Sequence, residues 1–166
     1  MAVIGVMGEK RHEAKEILDD LMKRSGQAGL VIDIESRDGD VPQVDVIVAA
    51  ERSGTAGRLI KNAGCSVLVM NPDCKEVLRE SSQSPGLVIT YGFNSKACVT
   101  ASSVMDNEMQ ICIQRDLPTL NGSHLEQQEF SVAVDTLEKD PLHLLAAFAA
   151  IMVCNADVEK LKVLNQ

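Results

Sequence analysis

Ala2-Val3-Ile4-Gly5-Val6-Met7-Gly8 is a short apolar run closing on a glycine. The residues after it, Glu9-Lys10-Arg11-His12, lead into Ala14, Ile17, Leu18, Leu21 and Met22 at helical spacing. The run reads as a buried strand, and the spacing as an amphipathic helix with one apolar stripe. Gly26, just after Lys23 and Arg24, is a helix stop. Residues 2–26 therefore read as strand, turn, helix.

The same grammar repeats downstream. Residues 30–34, 44–50, 66–70 and 87–91 read as strands, and residues 55–63 and 73–80 as short helices between them. Strands alternating with helices imply right-handed crossovers. The fold class expected is α/β, with a mainly parallel, Rossmann-like or P-loop-type sheet flanked by helices. After Gly92 the pattern changes. Residues 97–104 and 108–114 read as an antiparallel hairpin around Met105-Asp106-Asn107. Phe130-Ser131-Val132-Ala133-Val134 alternates and adds a strand. Pro141 starts a helix running through Cys154, whose alanines permit close packing on a sheet. Residues 157–164 read as a last short helix. One domain over residues 1–166 is expected, with a parallel part (1–92), a small antiparallel β portion in the second half (93–135) and C-terminal helices (136–166).

The chain has 166 residues, no Trp, one Tyr and three Phe, so its core must be filled by aliphatic residues and Met. Such residues suit buried parallel strands. The formal net charge of −8 serves solubility and repels phosphate backbones, which argues against nucleic acid as a partner. The five cysteines are widely spaced and form no C-x-x-C pair, and Cys98, Cys112 and Cys154 sit in apolar runs. This points to a reducing compartment rather than a disulfide framework. The first residues carry no basic region and no long apolar stretch. A cytoplasmic protein without signal peptide or membrane span is therefore expected.

A strand that enters a glycine turn and then a helix is where α/β proteins bind phosphate, because the helix start presents free amides. A working P-loop also needs a Lys for the β- and γ-phosphates and a Ser or Thr for Mg²⁺. Here the turn reads Gly5-Val6-Met7-Gly8-Glu9-Lys10-Arg11-His12-Glu13-Ala14. It has no following hydroxyl, and Glu9 and Glu13 put negative charge where phosphates would lie. Gly8, Lys10, Arg11 and His12 are the candidate contacts of this degenerate loop. The third glycine of a dinucleotide fingerprint is also missing, although Asp33 or Glu35 could serve a ribose.

Residues 2–26 resemble the opening of the Mur ligase central domain, which is shared with folylpolyglutamate synthases. That family places T-G-T-N-G-K-T-[ST] between the strand and the helix. Aligned without a gap, Met7-Gly8-Glu9-Lys10-Arg11-His12-Glu13-Ala14 occupies the motif, and only Gly8 matches. His12 stands at the family's phosphate Lys, and Glu13 and Ala14 at its hydroxyls. Ser66-Val67-Leu68-Val69-Met70-Asn71-Pro72-Asp73 looks like the family's strand ending in N-x-D-D. Leu87-Val88-Ile89-Thr90-Tyr91-Gly92-Phe93 looks like the strand after which the family enters a β-rich portion, and residues 144–153 resemble its Ala-rich helix. Together these pieces span most of the chain.

The resemblance implies an ATP- and Mg²⁺-dependent amide ligase, and the departures oppose it. The segment after the third strand, Ala49-Ala50-Glu51-Arg52-Ser53-Gly54-Thr55, lacks the family's Asp-His pair. The carbamylated Lys and the adenine-side asparagines have no counterpart. His143 falls one residue off the family histidine, and the flanking substrate and amino-acid domains have no counterpart in these 166 residues. Two functions follow as expectations. The first is a diverged, non-catalytic Mur-ligase-like central domain. It would bind a partner protein, a second copy or a small ligand at the strand edge, near Asn71, Asp73 and the degenerate loop. The alternative is an ATP-dependent ligase domain completed by a separate subunit, with Lys10 or Arg11 replacing the family Lys. Ser53 is a further candidate, as a helix cap that could meet an anion.

Overall fold

The computed structural model describes residues 1–35, 42–50, 65–82 and 86–162. Its elements run β1 (Ala2–Met7), α1 (Arg11–Ser25), β2 (Gly29–Asp33), β3 (Val46–Ala49), β4 (Val67–Met70), α2 (Lys75–Ser81), β5 (Leu87–Thr90), β6 (Val99–Met105), β7 (Glu108–Ile113), β8 (Leu117–Pro118), β9 (His124–Leu125), β10 (Gln128–Ala133), α3 (Pro141–Val153) and α4 (Val158–Leu161). The helix expected over residues 55–63 and the turn at Ser53 lie outside the described residues.

The first five strands form one parallel sheet in the order β2-β1-β3-β4-β5, and β10-β7-β6 form a small antiparallel sheet. The α/β class and both sheets are thus as the sequence implies. The hairpin turns at Asp106-Asn107, and a register shift between Ala101 and Ser103 marks a bulge in β6. Bulges of this kind bend a strand and raise its twist. The two-residue strands β8 and β9 have no counterpart in the sequence reading.

Alternation along the parallel strands divides their side chains between two cores. Ile4, Val6, Val31, Val46, Val48, Val67, Val69 and Ile89 belong to the larger one. Met7, Ile34, Ile47, Ala49, Leu68 and Met70 belong to the other. Ala14, Ile17, Leu18, Leu21 and Met22 of α1 enter the larger core, so the helical spacing is realised as one buried stripe. Each of the four larger side chains among these contributes about 1.5–3 kcal/mol by leaving water.

Helix α3 explains why its residues are apolar all round. It contacts α1, β3 and β4 as well as β6 and β8, so both sheets press on it. Every residue from His143 to Val153 is buried. Its start is capped by Asp140, which accepts a hydrogen bond from the Leu142 amide, with Pro141 at the first position. A helix surrounded in this way has no polar face to offer water.

Candidate functional site

In a 2-1-3-4-5 sheet the chain leaves β1 and β3 in opposite lateral directions. The crevice outside their C-terminal ends is where such folds take ligands. That crevice is bordered by Met7-Gly8 and by Ala49-Ala50, with Asn71 and Asp73 beyond β4 and Tyr91-Gly92 beyond β5. The structure therefore gathers the expected loop residues and strand-edge residues at one end of one sheet.

Gly8 has φ +116°, a conformation that side chains rarely adopt, and its carbonyl accepts from the Arg11 amide at 3.4 Å. Helix α1 starts without a side-chain cap, because Lys10 occupies the capping position and has no acceptor to offer. The next three residues are each engaged elsewhere. Arg11 donates from Nη1 to the Gly8 carbonyl at 3.4 Å, and its other guanidinium nitrogen lies 3.7 Å from the Glu35 carboxylate. His12 Nδ1 lies 3.5 Å from Asp33 Oδ2 at the end of β2. Glu13 Oε1 accepts from the Asp140 amide and Oε2 lies 3.3 Å from His143 Nδ1, which joins α1 to α3.

These placements decide the fit to a Mg-nucleotide. A phosphate cradle needs cations and hydroxyls converging on the crevice. Arg11 and His12 instead face the carboxylates that end β2, and Glu13, where the resemblance sets a hydroxyl, braces the first turn of α3. The residues of this loop do not fit that group.

The strand-edge pair is also tied into local structure. Asn71 Oδ1 accepts from the Asp73 amide at 2.9 Å, and Asp73 Oδ1 accepts from Asn94 Nδ2 at 3.0 Å. Gly92, with φ +136°, lies so close that a Cβ there would stand 3.2 Å from Asn71 Oδ1. Beneath them the buried Tyr91 hydroxyl donates to the Ala49 carbonyl at 2.9 Å, reaching across β4 to the end of β3. A cavity of about 370 Å³ adjoins this corner, lined by Asp73, Cys74, Lys75 and Glu76. A second, of about 340 Å³, lies away from the sheet edge, between α1 and the hairpin turn.

The edge therefore offers a ligand backbone and amide hydrogen-bonding groups among the carboxylates of Glu9, Asp33, Glu35 and Asp73. Among the described residues, no three His, Cys, Asp or Glu side chains gather as a metal site would, and no helix is long and apolar enough to cross a membrane. The Glu13–His143 contact escapes sequence reasoning, since its partners lie far apart in the chain. The only local signal is a histidine in the first turn of an otherwise apolar helix.

No protein-family model matches this chain, and no curated protein matches it. The likeness to the Mur ligase central domain rests on the residues quoted above.

Proposed function

We propose that this chain is a diverged Mur-ligase-like central domain that no longer drives ligation with ATP. It serves as a binding module, using the C-terminal edge of its parallel sheet for a partner protein or a small ligand. The observation that carries this reading is the placement of Arg11 and His12 against Glu35 and Asp33. His12 stands at the position of the family's phosphate Lys, and both side chains lie against carboxylates at and just past the end of β2 rather than in the crevice. The surrounding carboxylates favour a neutral or basic contact segment over a phosphorylated one.

Isothermal titration of the full chain with Mg-ATP tests the reading. The expected result is no binding heat with nucleotide at about 1 mM, the range where only very weak sites fill. Micromolar affinity that disappears in Lys10→Ala would establish the ATP-dependent ligase reading instead.

A further inference from the structure

Strand β2 ends the parallel sheet on one side and, among the described residues, pairs only with β1. The Ile34 amide donates to the Val6 carbonyl at 2.8 Å, and Val6 and Ile4 sit opposite Asp33 and Val31. In a parallel ladder this turns the backbone groups of Leu30 and Ile32 towards β1 and those of Gly29, Val31 and Asp33 outward. Proteins commonly blunt such an edge with proline, lysine or a bulge. Gly29-Leu30-Val31-Ile32-Asp33 contains neither proline nor lysine and pairs with β1 in unbroken register. Leu30 is 48% exposed, and Ile32, on the same face, is only partly buried.

Helix α1 runs alongside this strand. At one end His12 lies 3.5 Å from Asp33, and at the other the Met22 methyl fills the space where a Gly29 Cβ would point. Between them Lys15 Nζ and Asp19 Oδ2 are hydrogen-bonded at 2.8 Å.

We propose that two copies of this chain pair β2 with β2, antiparallel, about a twofold axis through Val31, so that their parallel sheets join into one. In this register Gly29, Val31 and Asp33 face Asp33, Val31 and Gly29 of the second copy. All three are hydrogen-bonded pairs, giving about six new backbone hydrogen bonds. Leu30 faces Ile32 in the intervening pairs, where side chains approach most closely, so the exposed leucine is covered by a matching apolar group. The same axis serves the helices. Since His12 stands by Asp33 and Met22 by Gly29, the point level with Val31 falls midway between Lys15 and Asp19. Two antiparallel copies of α1 then set each Lys15 against Asp19 of the second copy. One axis thus satisfies the strand's hydrogen bonds, its apolar pairs and the helix charges, which is what an isologous interface requires. A foreign strand could meet the first condition and has no reason to meet the third.

Sedimentation equilibrium of the full chain up to about 100 µM provides the test, a range suited to a small interface of micromolar affinity. The expected mass is twice the 17.9 kDa of one chain, and the association weakens as salt rises. Leu30→Lys, at an exposed position, should weaken association at least about tenfold with an unchanged circular dichroism spectrum. Lys15→Glu should do the same, and Lys15→Glu combined with Asp19→Lys should restore association to within about threefold of the parent, because the charges again alternate. A single-chain mass throughout would overturn the proposal. So would a dimer unmoved by Leu30→Lys, or a charge swap that restores nothing.

Discussion

Glu13 and His143 meet across the junction of α1 and α3, a carboxylate oxygen 3.3 Å from the Nδ1 of an imidazole that has no solvent exposure. The other oxygen of the same carboxylate accepts from the Asp140 amide at the start of α3. One side chain thus accepts from an amide at the start of α3 and sets its charge beside the imidazole of the helix that both sheets enclose. Glu13→Ala should cost about 1–3 kcal/mol, the range for depriving buried polar groups of their acceptor. Glu13→Gln keeps an acceptor oxygen and should lose less. Urea unfolding midpoints of the three proteins give the comparison. Equal stability of Glu13→Ala and the parent would remove the junction from any account of the fold.

Gly92 follows β5 in a backbone conformation closed to most side chains, packed against Asn71. Gly92→Ala should destabilise by about 1–3 kcal/mol through backbone strain and the contact with Oδ1 together. Adding Asn71→Ala should relieve the contact but not the strain. A double-mutant cycle in thermal unfolding separates the two parts.

Cys154, which ends α3, is 2% exposed, and burial, with a smaller push from Asp45, raises its thiol from an ordinary value of 9.0 to about 12. The folded state therefore holds this proton more tightly than the unfolded chain does. The stability gained from the buried neutral thiol is complete below about pH 9 and is lost as pH rises towards about 12. Cys154→Ala should flatten the decline in unfolding free energy across that window. In the native parent at pH 8, Cys154 should resist a thiol reagent that modifies it in denaturant.

Much of the architecture was legible in local pattern. The strand-glycine-helix opening, the alternation of the described elements through residue 91 and the hairpin at Asp106-Asn107 all follow from periodicities of two and 3.6 residues and from turn chemistry. The limits of short elements were less legible. The first strand ends at Met7 rather than Gly8, and β10 begins at Gln128 rather than Phe130. The last helix covers Val158–Leu161, where residues 157–164 were expected, and residues 163–166 lie outside those described. Strands β8 and β9 have two residues each, too few for any period to register.

The site shows where reading along the chain stops. The loop's residue types are visible in one line of sequence, but what they touch depends on the neighbouring strand. Arg11 and His12 find Glu35 and Asp33 because β2 lies beside β1, and Asp73 finds Asn94 because β5 lies beside β4. Register across a parallel sheet is set by the whole hydrophobic pattern and leaves no mark near residue 12.

The far edge of the sheet has a part in this as well. There the Gly92 amide donates to the Val99 carbonyl at 3.1 Å, and the Cys98 amide donates to Thr90 Oγ1 at 3.0 Å. The chain thus folds back over the C-terminal end of its own β5. A sheet with two exposed edges can grow without limit, each added copy presenting a fresh template. Here the second edge is partly occupied by the chain itself, so the β2 pairing proposed above would leave no equally open edge among the described residues. In such a pairing the turn at Gly92 would act as a chain terminator, separating a finite assembly from a fibre.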